Sequence, residues 1–158
     1  MTTTTNFLYI GIDPGVNGGI AWRVDGKTYA VKMPPTPVDI VNLLRQFQQT
    51  NRIVELFLEI PPLFAGRNIP GSAIAKLMGN AEGIYFAALS MGFKIHRVAP
   101  AAWLKAHPVG TKGKRTTTQW KNSLKARAGD LFPDGVPITL WSADALLILD
   151  AGIRGAIK

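Results

Sequence analysis

The chain reads as an α/β domain, a mixed five-stranded sheet flanked by helices, and three observations carry that reading. It opens on an antiparallel hairpin pattern, and its later strands are separated by helical stretches. No repeat or linker divides its 158 residues, which as a single domain (1–158) are enough to bury a proper core.

The elements follow in order. Asn6 to Asp13 carries the aromatic and β-branched residues of a buried first strand, stopped by Pro14-Gly15. Gly18 to Val24 is the second strand, Asp25-Gly26 a hairpin signal, and Lys27 to Met33 the third strand. Thr36 caps a helix with Pro37 in its first turn, and Ile40, Leu43, Leu44 and Phe47 form its apolar face. Ile53 to Ile60 is strand four, followed by a Pro- and Gly-containing loop from Pro61 to Gly71. A long helix from about Ser72 to Met91 leads to strand five, Phe93 to Val98. Two or three helices complete the domain, with a Gly/Lys loop at Val109 to Lys114 and a last helix from about Ser142.

Composition narrows the chemistry. No stretch reaches the roughly 18 apolar residues of a membrane span, and Met-Thr-Thr-Thr-Thr lacks the basic and apolar parts of a signal peptide. The expected location is therefore cytoplasmic, or the host cytoplasm should the gene be a phage's. The absence of cysteine excludes disulfides, thiolate zinc sites and cysteine nucleophiles. With His96 and His107 the only histidines, any metal here is a hard cation held by oxygen.

The net charge of +8 matters for its placement. Between Glu82 and Asp130 there is no acid, yet nine of the eighteen basic residues lie there, Lys105, Lys112, Lys114, Arg115 and Lys121 among them. A block of one sign is the electrostatic footprint of a phosphate backbone, although a generic solvated surface has the same composition. Trp103 and Trp120 interleave with these charges and have the flat faces to stack on bases, but tryptophans in helices more often pack in a core.

Three acids stand on apolar elements. Asp13 ends the first strand, Glu59 ends the run Val54 to Ile60, and Asp144 opens the run Ala143 to Leu149. An acid in such a place is an expensive buried charge unless a cation meets it. Phosphodiester hydrolysis needs an activated water and charge stabilisation on the attacking and leaving oxygens, which two Mg²⁺ ions about 4 Å apart supply through Asp and Glu ligands. Asp13 is placed to bridge the two ions, with Glu59 and Asp144 reaching one each. Each acid also has a plainer use: an Asx turn from Asp13 to Gly15, a lysine partner for Glu59, a helix N-terminal charge for Asp144.

These residues resemble the RuvC-like Holliday junction resolvases of the ribonuclease H-like superfamily. Ile10-Gly11-Ile12-Asp13-Pro14-Gly15 is identical to that family's opening motif, and Phe57-Leu58-Glu59 resembles its central strand. Phe64-Ala65-Gly66-Arg67-Asn68 is similar to its loop, and Ser72 to Gly83 to its long helix. Gly110 to Lys114 keeps its glycine-to-lysine spacing, and Ala143-Asp144-Ala145-Leu146 matches its last motif. The resemblance covers nearly the whole chain in order. It implies an endonuclease of DNA recombination and repair that resolves four-way junctions by paired nicks, using Mg²⁺ with Mn²⁺ as substitute. Asp13, Glu59 and Asp144 would bind metal, and Lys114 would support the transition state. Phe64, Arg67, Lys105, Lys112, Lys114, Arg115 and Lys121 would contact branched DNA.

It also implies a homodimer through the helix 72–91. That helix is apolar nearly all round, and Ala75, Gly79, Gly83 and Ala87 recur every four positions, a pattern that a helix sandwiched inside its own domain also shows. Two departures stand out. Where the family has a second acid or histidine three residues before its last Asp, this chain has Trp141. Asp150 lies about 240° around the helix from Asp144, so either three carboxylates suffice, another group such as Asp130 or Asp134 swings in, or one metal is held loosely. Pro61-Pro62 also lengthens the loop before Phe64 by two residues relative to the family pattern.

Other readings share some of these signals. Sugar kinases and actin-like ATPases also use Gly-Ile-Asp-x-Gly, but need a second domain and a second phosphate motif. A ribonuclease H-like nuclease of RNA or other branched DNA, or a junction-binding protein of weak catalysis, fits more closely.

Overall fold

The computed structural model describes residues 6–62 and 68–157. Strands β1 (Phe7–Asp13), β2 (Gly19–Val24) and β3 (Lys27–Lys32) form an antiparallel meander. Helix α1 (Pro37–Gln48) leads to β4 (Ile53–Glu59), and α2 (Gly71–Ser90) leads to β5 (Lys94–Val98). Helices α3 (Pro100–Lys105), α4 (Thr117–Leu131) and α5 (Ala143–Ile153) follow. The sheet order is β3-β2-β1-β4-β5, with β4 parallel to both β1 and β5. The expected mixed five-stranded sheet is thus present, and the element bounds agree to within two residues. Among the described residues no helix is long and apolar enough to cross a membrane.

Local signals account for the meander and first crossover. Asp25 and Gly26 both take positive φ, the backbone a two-residue hairpin turn requires. The Thr36 side chain accepts the Asp39 N–H at 3.1 Å, capping α1, whose Ile40, Leu44 and Phe47 turn inward.

Strand alternation then sorts the residues between two cores. Leu8, Ile10 and Ile12 of β1 and Val54, Leu56 and Leu58 of β4 face α1 and α2. Tyr9 and Phe57 face the other way, toward α5 and α4. The period of two therefore sends Asp13 and Glu59 to the α5 side. Register carries them to the same height: Ile12 pairs with Leu58, so the two acids are the next residues along neighbouring parallel strands.

Helix α5 lies directly on the sheet backbone, and glycines make the approach possible. A Cβ on Gly11 would stand 2.5 Å from the Ala145 carbonyl oxygen and 2.6 Å from the Leu149 nitrogen. One on Gly152 would enter the Phe57 ring at 2.4 Å. Nine of the helix's residues are buried, including every one from Ala143 to Leu149. The obstacle at Gly11 is backbone, which cannot swing aside.

Replacing Gly11 with Ala should therefore push α5 off the sheet and cost about 1–3 kcal/mol, as overpacking does. Gly129→Ala, in α4 with nothing within 4 Å of the new methyl, should instead stabilise by about 0.5–1 kcal/mol. Urea midpoints of the two variants against the parent chain check both signs.

Candidate active site

Three elements deliver three carboxylates to one end of the sheet. Asp13 and Glu59 come from the C-terminal ends of β1 and β4, and Asp144 from the first turn of α5. The entry to α5 is held by Ser142, whose Oγ donates to the Pro137 carbonyl at 2.6 Å and accepts the Thr139 N–H at 2.9 Å. Asp144 is only 5% exposed.

Charge couples the three. Burial, then the Asp144 and Glu59 charges, hold the Asp13 carboxyl well above the usual carboxylate range, against the pull of Lys121. Burial also pushes Glu59 up to about 7, with Asp144 adding to it. The Trp103 indole N–H, donated to Glu59 Oε2 at 2.6 Å, and the Lys121 charge act in the opposite direction.

Of the plainer uses, Asp144 does stand as an acid in the first turn of α5, while the Asx turn to Gly15 and a lysine partner for Glu59 are not taken. The Gly15 N–H donates to Asn80 Oδ1 at 2.8 Å, tying the β1–β2 turn to α2. Glu59 takes an indole partner, and Asp144 Oδ2 is held by the ammonium of Lys121, on α4. Burial works against a charged lysine, but Asp144, with Asp13 and Glu59 adding to it, outweighs this and raises the Lys121 pKa.

The acids fit a hard cation by donor chemistry and by one orphan atom. Among the described residues Asp144 Oδ1 is buried without a hydrogen-bond partner, a costly state that a cation would relieve. Yet among the described residues no three ligand-type side chains converge closely enough to hold an ion as they stand. Trp103 and Lys121 hold two of the six carboxylate oxygens elsewhere. A groove of about 880 Å³ opens beside Asp13, the one acid of the three in its walls, with Lys32, Lys76, Asn80, Lys121 and Trp141.

The remaining candidates are dispersed. Lys105, Lys112 and Lys114 lie exposed, the first at the end of α3 and the others on the loop before α4. Arg115 clamps that loop: its guanidinium donates to the carbonyls of Val109 and Thr111 and to Ser123 Oγ, and covers the Trp120 ring at 4.8 Å. Trp103 is buried, so its part is to hold Glu59 rather than to stack on bases. Phe64 and Arg67 lie outside the described residues. Asp150 is occupied by Arg154 at 2.7 Å, and Asp130 and Asp134, both exposed, are not among the charges acting on Asp13.

No protein-family model matches the chain, and no curated protein matches its sequence. Solved structures do. The chain is similar to Thermus thermophilus RuvC, with a TM-score of 0.59 and 19% identity, covering 96% of this chain and 98% of that one. It is also similar to T. thermophilus RuvC in complex with Holliday junction substrate, with a TM-score of 0.59, 17% identity and the same coverage. The fold is RuvC-like, of the ribonuclease H-like type.

The raised pKa of Glu59 makes stability depend on pH in a defined sense. The folded chain holds this proton more tightly than the unfolded one, so the contribution of Glu59 to stability is full below pH 4.5 and is lost as pH rises through about 7. Thermal melts without metal should show a lower Tm at pH 8 than at pH 5.5. Glu59→Gln should flatten that difference.

Proposed function

We propose that this chain is a metal-dependent endonuclease that cuts branched DNA, with the four-way junction as its substrate. One observation carries the reading: three carboxylates from three separate elements lie within one another's electrostatic reach, with Asp13 on the wall of a groove, in a chain whose acid-free interval is strongly basic. The RuvC-like fold supports it, as does the presence of a Holliday junction substrate in one neighbouring structure.

Asp13, Glu59 and Asp144 would hold a divalent cation, Mg²⁺ or Mn²⁺. Such a cation supplies water activation at neutral pH and charge stabilisation on the phosphate. The chain's own residues do the rest. Trp103 aims Glu59, and Gly11 lets α5 place Asp144 over the strand ends. Lys112 and Lys114 stand on the exposed loop that Arg115 clamps, and with Lys105 they suit contacts along a phosphate backbone. Lys114 keeps the supporting role that the family resemblance implies, while Lys121 is the lysine beside the acids.

A junction must be nicked twice in symmetry, so two sites must face one substrate, and a two-fold dimer provides them. Helix α2 offers the surface. Phe86 is 63% and Leu89 51% exposed, on the same side of the helix as Gly79 and Gly83, which leave room for a close partner.

Incubated with Mg²⁺, the protein should cut a four-way junction in preference to matched duplex or RNA. Asp13→Asn should abolish cutting, by 10³-fold or on that order, while junction binding persists and weakens steeply with salt. A junction bound but never cut by the parent chain would favour the binding protein, a reading to which Trp141 gives some weight.

Sedimentation at micromolar concentration without DNA should show a dimer. Phe86→Glu should loosen it by about tenfold or more without altering the monomer's melting profile.

A further inference from the structure

The acid cluster already contains a cation of its own. The Lys121 ammonium holds Asp144 Oδ2 and lies within the field of Asp13 and Glu59, on the wall of the groove that Asp13 shares. Two dications carry four positive charges, which three carboxylates alone do not balance. This chain presents three carboxylates, and the position three residues before Asp144, an acid or histidine in the family it resembles, is Trp141. With all three carboxylates ionised, as a bound cation would make them, they and the one ammonium leave a charge of −2, which a single dication neutralises.

The oxygens left open agree with that count. Trp103 occupies Glu59 Oε2 and Lys121 occupies Asp144 Oδ2, while Asp144 Oδ1 is buried and has no partner among the described residues. Two dications beside the ammonium would give the cluster a net +2 in a poorly solvated place, where like charges at about 4 Å repel strongly. We propose that the site takes one divalent cation, on Asp13, Asp144 Oδ1 and Glu59, and that Lys121 stands in place of the second. This rests on the nuclease reading and replaces its expected pair of ions. An ammonium is a compact charge with three donors, and in this position Lys121 meets the charge that builds on the phosphate during cleavage.

Counting Mn²⁺ on the full chain at pH 8, by titration calorimetry and by the electron paramagnetic resonance of free Mn²⁺, tests this without any turnover. One Mn²⁺ per chain is expected; two per chain would overturn the proposal, as would none at millimolar Mn²⁺. Lys121→Gln should bind Mn²⁺ about tenfold more tightly, because a neighbouring positive charge is gone, yet cut the junction about 10²-fold more slowly. Lys121→Arg, which keeps the charge, should bind Mn²⁺ like the parent chain. Unchanged or weaker Mn²⁺ binding by a folded Lys121→Gln would overturn the proposal, since a merely structural lysine does not repel the ion. Failure of the nuclease reading shows separately, as a junction left uncut by the parent chain in Mg²⁺.

Discussion

The close seat of α5 on the backbone of β1 is the contact on which the rest of the site depends. Gly11 leaves no side chain between the strand and the Ala145 and Leu149 backbone, so the helix lies against the central strand itself. The next residue but one on that strand is Asp13, and the residue before Ala145 is Asp144. The distance between two acids far apart in sequence is therefore set by a glycine and two backbones. Parallel pairing adds the third, since β4 ends one step beyond the Ile12–Leu58 pair. The position of the cluster is thus built from backbone placement, with little left to side-chain freedom.

Such a cluster is costly in the absence of a cation. Lifting Glu59 from 4.5 to about 7 is alone worth about 3 kcal/mol near neutral pH. A domain's whole stability is typically only about 5–15 kcal/mol. Asp13 and the Oδ1 of Asp144, without a partner among the described residues, act in the same direction. The offset lies on the same helix. Leu146, Leu147, Ile148 and Leu149 are fully buried immediately after Asp144, each contributing about 1.5–3 kcal/mol. Asp144 is forced inward by the apolar run it begins.

Periodicity explains how much of this was legible in the sequence. Alternation over Leu8–Ile12 and Val54–Leu58 gives the strands and puts Asp13 and Glu59 on one face, and the run after Asp144 marks the buried helix. Turn chemistry at Asp25-Gly26 and the Thr36 cap were equally plain. Long-range side-chain choices were not. Spacing gave no reason for Trp103 to hold Glu59 across 44 positions, so an indole fit for base stacking is instead a core residue with one polar contact. Nor does spacing separate Lys121 from Lys114. One follows a capped helix start by a full turn and returns to the sheet, while the other stays on the loop. The only sequence signal was indirect: a missing acid at Trp141 leaves a deficit that some other group must answer.

The basic interval divides along the same physical line. Arg115 spends its donors on the carbonyls of its own loop and its flat face on Trp120, so its charge stiffens the loop that carries Lys112 and Lys114. His107, buried with its Nε2–H donated to the Leu147 carbonyl at 2.9 Å, fastens the other end of that loop to α5. The helix that positions Asp144 therefore also anchors the segment bearing the exposed lysines. A backbone phosphate bound by those lysines would be held in fixed relation to the acids, because both are referred to one helix. Rigid placement of charge is what lets electrostatic binding energy act at a reacting phosphate instead of being spent on ordering the loop.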